Sequence, residues 1–308
     1  MLPLVYSPAY VTPLPEGHRF PMPKFGILRD LLIERGIATP EQFHCPEIGS
    51  FELITSVHDP VYVKSFFEGS IDYDAVRKIG LPWSEGLVTR TRTAVAGTLL
   101  TCELALEHGL ASNTAGGTHH AHRTFGSGFC IFNDLAVAAR TLVDRGRVDQ
   151  VLIIDLDVHQ GDGTATIFHD DSRVFTFSMH CVNNFPAKKP PSDLDIPLAK
   201  GVGDSEYLDT LCQHLPRLLE QVEPDLVIYD AGVDVHRDDR LGHLDLTDQG
   251  LYDRDHYVIA QCRSHGIPTA CVIGGGYDAD HAKLANRHAT VHRAATDVWI
   301  ELLSSVSD

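Results

Sequence analysis

Four apolar residues at 151–154 run into Asp155, Asp157 and His159 within VLIIDLDVHQGDG. Side chains of an extended chain repeat every two residues, so these three polar groups leave the backbone on one side, where a buried strand ends. A second strand, DLVIYDAGVD, finishes in the same manner on Asp234. Asp157, His159 and Asp234 together form an N/O donor set suited to zinc, with one coordination position left for water. A single aspartate at a strand end more often caps a loop or starts a helix. Three acids and a histidine at this spacing reverse that preference.

Two carboxylate ligands neutralise most of the charge of a divalent ion, so its water is acidified less than at an all-histidine site and a separate general base is needed. The segment TAGGTHHAHRTFGSGFCIFND supplies His119 and His120 beside glycines that permit close backbone approach. Asp155 and Asp162 are not needed as zinc ligands, and either can orient an imidazole and raise its basicity. His122 has no such partner and is taken as structural. In CVIGGGYDAD, at 271–280, a strand runs into glycines and then Tyr277, whose O–H can donate to an oxyanion. The same stretch fits G-x-G-x-x-A, but it lies on the last strand and no strand-ending acid follows about 20 residues later, which argues against a dinucleotide site.

These groups need a scaffold of strand ends. Apolar or β-branched runs at 2–7, 151–157, 173–179, 225–232 and 268–276 predict buried strands, and helical periodicity predicts helices over 22–35, 86–108, 133–145, 204–221, 247–264 and 282–303. The alternation implies an α/β fold with a mainly parallel sheet sandwiched by helices. Proline-rich 14–24 and 183–203 are expected to be surface loops. With 308 residues, 43% of them hydrophobic, the chain can bury one large core, and 1–308 is expected to be a single catalytic domain.

The formal net charge of −17 argues against sequence-independent binding to nucleic acid and favours a cationic or neutral partner. No signal peptide and no membrane span is recognisable. The seven scattered cysteines form no C-x-x-C pair and fit reduced thiols, so a cytoplasmic protein is expected.

Taken together, GGTHHA with SGFCIFND, IDLDVHQGDG, AGVD with DRLG, and GGGY resemble the motif set of the zinc-dependent histone deacetylase superfamily, over nearly the whole chain. LPEGHRFPMPKF, GDSEYLD and YDAGVDVHRDDRLGHLDLT are most similar to the class IV branch and its bacterial relatives. The resemblance implies an arginase-like α/β domain holding one zinc ion on Asp157, His159 and Asp234. It pairs His119 with Asp155 and His120 with Asp162, and it gives Tyr277 the amide carbonyl. It further implies a narrow tunnel lined by Gly128, Phe129, Phe185 and Gly275. A structural potassium ion would be held by Asp155, Asp157, His159, Ser178 and Met179, and a weaker cation site would involve Phe168, Asp171 and Val174.

Gln160 departs from the second histidine of many members, and AKKPPS after Phe185 departs from their glycine-rich turn. The implied reaction is hydrolysis of the side-chain amide of acyl-lysine in a peptide or protein. Acetylpolyamines or other small N-acyl amines are the alternative substrates, and a non-catalytic binding module is the competitor of a different class. A binuclear manganese site is disfavoured because position 236, two residues past Asp234, is His236. A non-haem iron oxygenase would use two histidines and one carboxylate.

Overall fold

The computed structural model describes residues 1–305. Its strands are β1 (Leu4–Val5), β2 (Phe43–His44), β3 (Leu110–Asn113), β4 (Val151–Asp155), β5 (Val174–Cys181), β6 (Leu194–Leu198), β7 (Leu226–Asp230) and β8 (Thr269–Val272). They form one eight-stranded sheet in the order β2-β1-β3-β8-β7-β4-β5-β6, with every pairing parallel. The α-helices are α1 (Lys24–Glu34), α2 (Phe51–Thr55), α3 (Pro60–Phe67), α4 (Tyr73–Ile79), α5 (Glu85–His108), α6 (Asp134–Asp144), α7 (Asp162–Phe168), α8 (Asp204–Val222), α9 (Asp248–Ser264) and α10 (His281–Ser305).

The central strands β3, β4, β7 and β8 are buried along their whole length, and β4, β7 and β8 carry the apolar runs expected of strands covered on both faces. Helices α5 and α6 pack together in one layer, while α1 and α9 pack on α10 in the other. The longest helix of the first layer, α5, starts where Ser84 accepts a hydrogen bond from the Leu87 N–H and stops at Gly109, whose φ of 88° is left-handed. The α/β expectation with a mainly parallel sheet is met by a sheet that is parallel throughout.

Register decides where the polar strand ends meet. Asp155 pairs with Ser178 on one side and Asp230 on the other, and Asp230 pairs with Val272. The loops leaving β3, β4, β7 and β8 therefore rise from one sheet edge. The strands that follow β3 in the sheet are the last two in sequence, so the connection order switches here, and ligands of open α/β sheets bind at such points.

The 183–203 loop expectation needs correction, because β6 lies inside it and pairs with β5. Pro197 hides that strand from a reading of composition, yet an edge strand tolerates a residue without an N–H. The sequence reading also passed over β2, β3, α7 and the short helices α2, α3 and α4, which are too brief to establish a period.

Candidate metal centre and catalytic cleft

The loop after β4 and the loop after β7 bring Asp157, His159 and Asp234 together, all three buried. His159 Nδ1 lies 3.0 Å from Asp157 Oδ1 and 3.1 Å from Asp234 Oδ2. The remaining carboxylate oxygens accept backbone hydrogen bonds: Asp234 Oδ1 from Val158 N at 2.9 Å and Asp157 Oδ2 from Gly275 N at 2.7 Å. Burial lowers the pKa of His159, but hydrogen bonds and charge from Asp157 and Asp234 outweigh it and lift the imidazole to about 10. The trio thus draws positive charge into a buried place. This donor set fits a divalent ion, which competes with that proton for the same atoms.

His119 Nδ1 is 2.8 Å from Asp155 Oδ2, and His120 Nδ1 is 2.7 Å from Asp162 Oδ1. The His120 ring centroid stands 5.7 Å from that of His159, and the His159 ring 6.5 Å from that of Tyr277. Tyr277 is held by its own backbone, since its N–H donates to Asp239 Oδ2 at 2.7 Å. Burial pushes its phenol well above the usual range, so the hydroxyl keeps its proton.

A motif quoted for its likeness alone turns out to be a clamp. The Asp134 carboxylate accepts the Gly117 N–H at 3.1 Å and the Thr118 N–H at 2.7 Å, fixing the loop that carries both histidines. Asn133 Nδ2 reaches the carbonyls of His119 and Ala121 at 3.4 and 3.3 Å. The guanidinium of Arg254, fully buried, donates to the carbonyls of Leu156, Gly232 and Ala231, in the loops that carry Asp157 and Asp234. Nothing in the sequence of α9 distinguishes this arginine from a surface one.

Two other residues depart from the sequence reading. His122, taken as structural, places Nε2 3.2 Å from Asp162 Oδ2 and Nδ1 2.9 Å from Thr166 Oγ1, so one carboxylate serves two imidazoles. Burial would raise Asp162, but His120 and His122 hold it well below the usual carboxylate range. Asp230, passed over as part of a strand, has neither carboxyl oxygen hydrogen-bonded among the described residues. It lies 3.9 Å from His119 Nδ1, and burial followed by the charge of Asp155 drives the pKa of its carboxyl well above the usual carboxylate range.

Above these groups opens a cleft of about 820 Å³ whose lining includes His120, His159, Tyr277, Gly128, Phe129 and Phe185. Phe129 is buried and Phe185 is 45% exposed. Gly128 has a φ of 53°, and a Cβ there would come within 2.7 Å of the His120 ring. The altered loop after Phe185 has its own fastening: Lys189 Nζ donates to the carbonyls of Asn184 and Pro186, both at 2.8 Å. Gln160 donates to Pro190 O at 2.6 Å and to Asp195 Oδ1 at 2.9 Å, tying that loop to β6.

The family model of the histone deacetylase domain matches residues 18–293. The chain belongs to the histone deacetylase family. Among its relatives, an uncharacterised protein of Picosynechococcus sp. is 58% identical over 297 residues, covering 96% of this chain and 99% of that protein. The chain is 36% identical to Histone deacetylase 2 of Arabidopsis thaliana over 196 residues, 63% of this chain but only 51% of that protein. It is 28% identical to the acetoin utilization protein AcuC of Staphylococcus aureus, covering 85% of this chain and 72% of that protein. In fold it is similar to the crystal structure of the HDA15 HD domain, with a TM-score of 0.79 at 20% identity over 98% of this chain and 93% of that one. Membership makes the chain a deacetylase, a hydrolase of amides, built on the arginase/deacetylase fold.

Among the described residues two groups could hold a metal ion: Asp157 with His159 and Asp234, and His119 with Asp155 and Asp230. In the second, Asp155 already accepts from His119. Ser178 and Met179 are buried on β5 beside Asp155, with Ser178 Oγ 2.9 Å from His180 Nδ1. Phe168, Asp171 and Val174 close a tight turn, in which Asp171 N donates to Phe168 O and Val174 N to Asp171 O. No helix among the described residues is long and apolar enough to cross a membrane.

Proposed function

We propose that the protein is a zinc-dependent deacylase that hydrolyses the side-chain amide of acyl-lysine in peptides or proteins. One observation carries the reading: three buried N/O donors converge beside an aspartate-paired imidazole and a protonated phenol on one cleft floor. Zinc bound by Asp157, His159 and Asp234 would supply Lewis acidity and a water of lowered pKa.

The chain's own groups then divide the work. His120 engages Asp162 through Nδ1, which leaves Nε2 as the acceptor for the proton of the attacking water. The Tyr277 O–H donates to the acyl carbonyl oxygen as negative charge develops there. Departure of lysine as an amine requires a proton on nitrogen, and the His119–His120 pair supplies it. Gly128, Phe129, Phe185 and Gly275 line the path of the acyl-lysine side chain. Beyond Gly128 a small void of about 30 Å³, roughly the volume of one water, is lined by the buried Lys24 and Arg90 together with Asp157.

The same proposal places a structural potassium ion at Asp155, Asp157, His159, Ser178 and Met179, where β4 and β5 run side by side, and a weaker one at Phe168, Asp171 and Val174. Residues 1–308 act as one catalytic domain, a reading supported by a single sheet that positions every group named. Within the family the chain sits on the class IV-like branch, on the motifs quoted above. Cytoplasmic residence is part of this reading and is supported by seven free cysteines.

The metal assignment is tested by mass-spectrometric metal content. His159→Ala and Asp234→Ala are each expected to lose the one tightly bound zinc, because three protein ligands are the minimum for such a site. Retention of one tight zinc with normal turnover in either variant contradicts the assignment.

A further inference from the structure

The chain carries 42 acidic and 25 basic residues, yet the mouth of its catalytic cleft has the opposite sign. Arg19, Lys78 and Lys188 line it, and the one acid in the lining, Asp162, lies deep with a side chain only 9% exposed. That acid is already shared between His120 and His122. The three cations come from three separate segments: the loop before α1, the last turn of α4 and the loop before β6. All three are exposed, and none has an acidic partner among the described residues.

Two of the heads are placed by aromatic faces that belong to the cleft. The Arg19 guanidinium lies 5.3 Å from the centroid of Phe129, and Lys78 Nζ lies 3.3 Å from that of Phe125. Such contacts hold a cation in position without neutralising it. Lys78 near the end of α4 would be ordinary as a complement to the helix dipole. Its convergence on one rim with Arg19 and Lys188 is not explained by that dipole. A cleft with low-dielectric walls focuses the field of the charges at its rim. Beyond a Debye length, about 8 Å at physiological salt, the acidic remainder of the surface is screened from a ligand already seated there.

Resting on the acyl-lysine reading, we propose that this mouth selects substrates whose amine half carries negative charge: acyl-lysine flanked by acidic residues. The acyl group and lysine stem descend toward Tyr277, while flanking carboxylates meet Arg19, Lys78 and Lys188 at the rim. Cationic chains, including acetylpolyamines and lysine-rich peptides, meet the same three charges as repulsion. The chain's net charge of −17 opposes a large polyanion, so the selected charge is local to the acylated site.

The test uses zinc-loaded enzyme and three acetyl-lysine peptides of equal length, with the acetylated residue flanked by Glu, Ser or Lys. Expected is a kcat/KM for the Glu peptide about tenfold or more above the Lys peptide, carried mainly by KM and shrinking as salt rises from about 50 to 500 mM. Lys78→Glu/Lys188→Glu should invert the order, and Lys78→Gln/Lys188→Gln should flatten it, which guards against misfolding of the reversed variant. Equal or better turnover of the Lys peptide by the wild type, or an order unchanged in both variants, overturns the proposal while leaving the deacylase reading intact. If no peptide is turned over, the acyl-lysine reading falls, and fluorescence anisotropy with the same peptides decides the charge question alone. Tighter binding of the Glu peptide then upholds the acidic mouth preference, and equal binding overturns it.

Discussion

His119 and His120 are neighbours in sequence with ring centroids 4.1 Å apart, yet their surroundings pull them in opposite directions. Burial lowers the pKa of His119, but Asp155 and Asp157 outweigh it and hold the imidazole well above its ordinary value. Burial and then the charge of His119 push His120 down to about 4, so at neutral pH it is the free acceptor. His120→Ala is therefore expected to lower kcat by roughly 100-fold to 10,000-fold with zinc retained, whereas His119→Ala keeps a larger remnant. Steady-state kinetics on both variants checks this, and a more active His120→Ala would exchange the two roles. That Asp157, His159 and Asp234 would meet near the histidine pair and Tyr277 was legible because such residue types are unusual at strand ends. Asp230 and Arg254 were not, because their meaning comes from burial across strands that sequence spacing does not relate.

Strand ends supply the directions in which these groups point, and the turns leaving them need glycine where side chains crowd. A Cβ on Gly275 would lie 2.3 Å from Asp234 Oδ2 and 2.5 Å from Asp157 Oδ2, so even a methyl group must displace two of the carboxylates proposed to hold zinc. Gly275→Ala is expected to weaken zinc affinity by about tenfold or more, ~1.4 kcal/mol, as read by competition with a chelator. Unchanged affinity would show that the turn relaxes without moving the ligands. The sequence disclosed β4, β7 and β8 because buried parallel strands read as unbroken apolar runs. It concealed β6 behind Pro197, and β3 behind LASN, which is too short and too polar to announce a strand although all four residues are buried. The fastening of the cleft loop by Lys189 and Gln160 was hidden for a related reason. Apart from the bond from Gln160 to Asp195 Oδ1, it runs to backbone carbonyls, which every sequence possesses.

Over the whole molecule, the net charge describes an average and not the cleft mouth, where Arg19, Lys78 and Lys188 reverse it. Stability depends on charge in another way. His58 is buried with Nδ1 donating to His122 O at 3.0 Å and Nε2 accepting from Asn133 N at 2.8 Å, an arrangement only the neutral ring can make. Burial pushes its pKa down to about 4 from the ordinary 6.5. Below pH 6.5 the unfolded chain binds the proton and the folded one does not, so stability is full above that pH and falls as pH drops toward 4. For this one group the loss is on the order of 3 kcal/mol. Denaturant unfolding at pH 7, 6, 5 and 4 should show a shallower decline for His58→Gln than for the wild type, and parallel declines would contradict the assignment. The proposal that a metal held by Asp157, His159 and Asp234 makes this chain a deacylase is decided by the acetate released from an acetyl-lysine peptide by chelator-stripped protein before and after one equivalent of zinc is returned. Near-background release without the metal and restored turnover with it are expected; equal release in both states would rule out a catalytic metal at these residues.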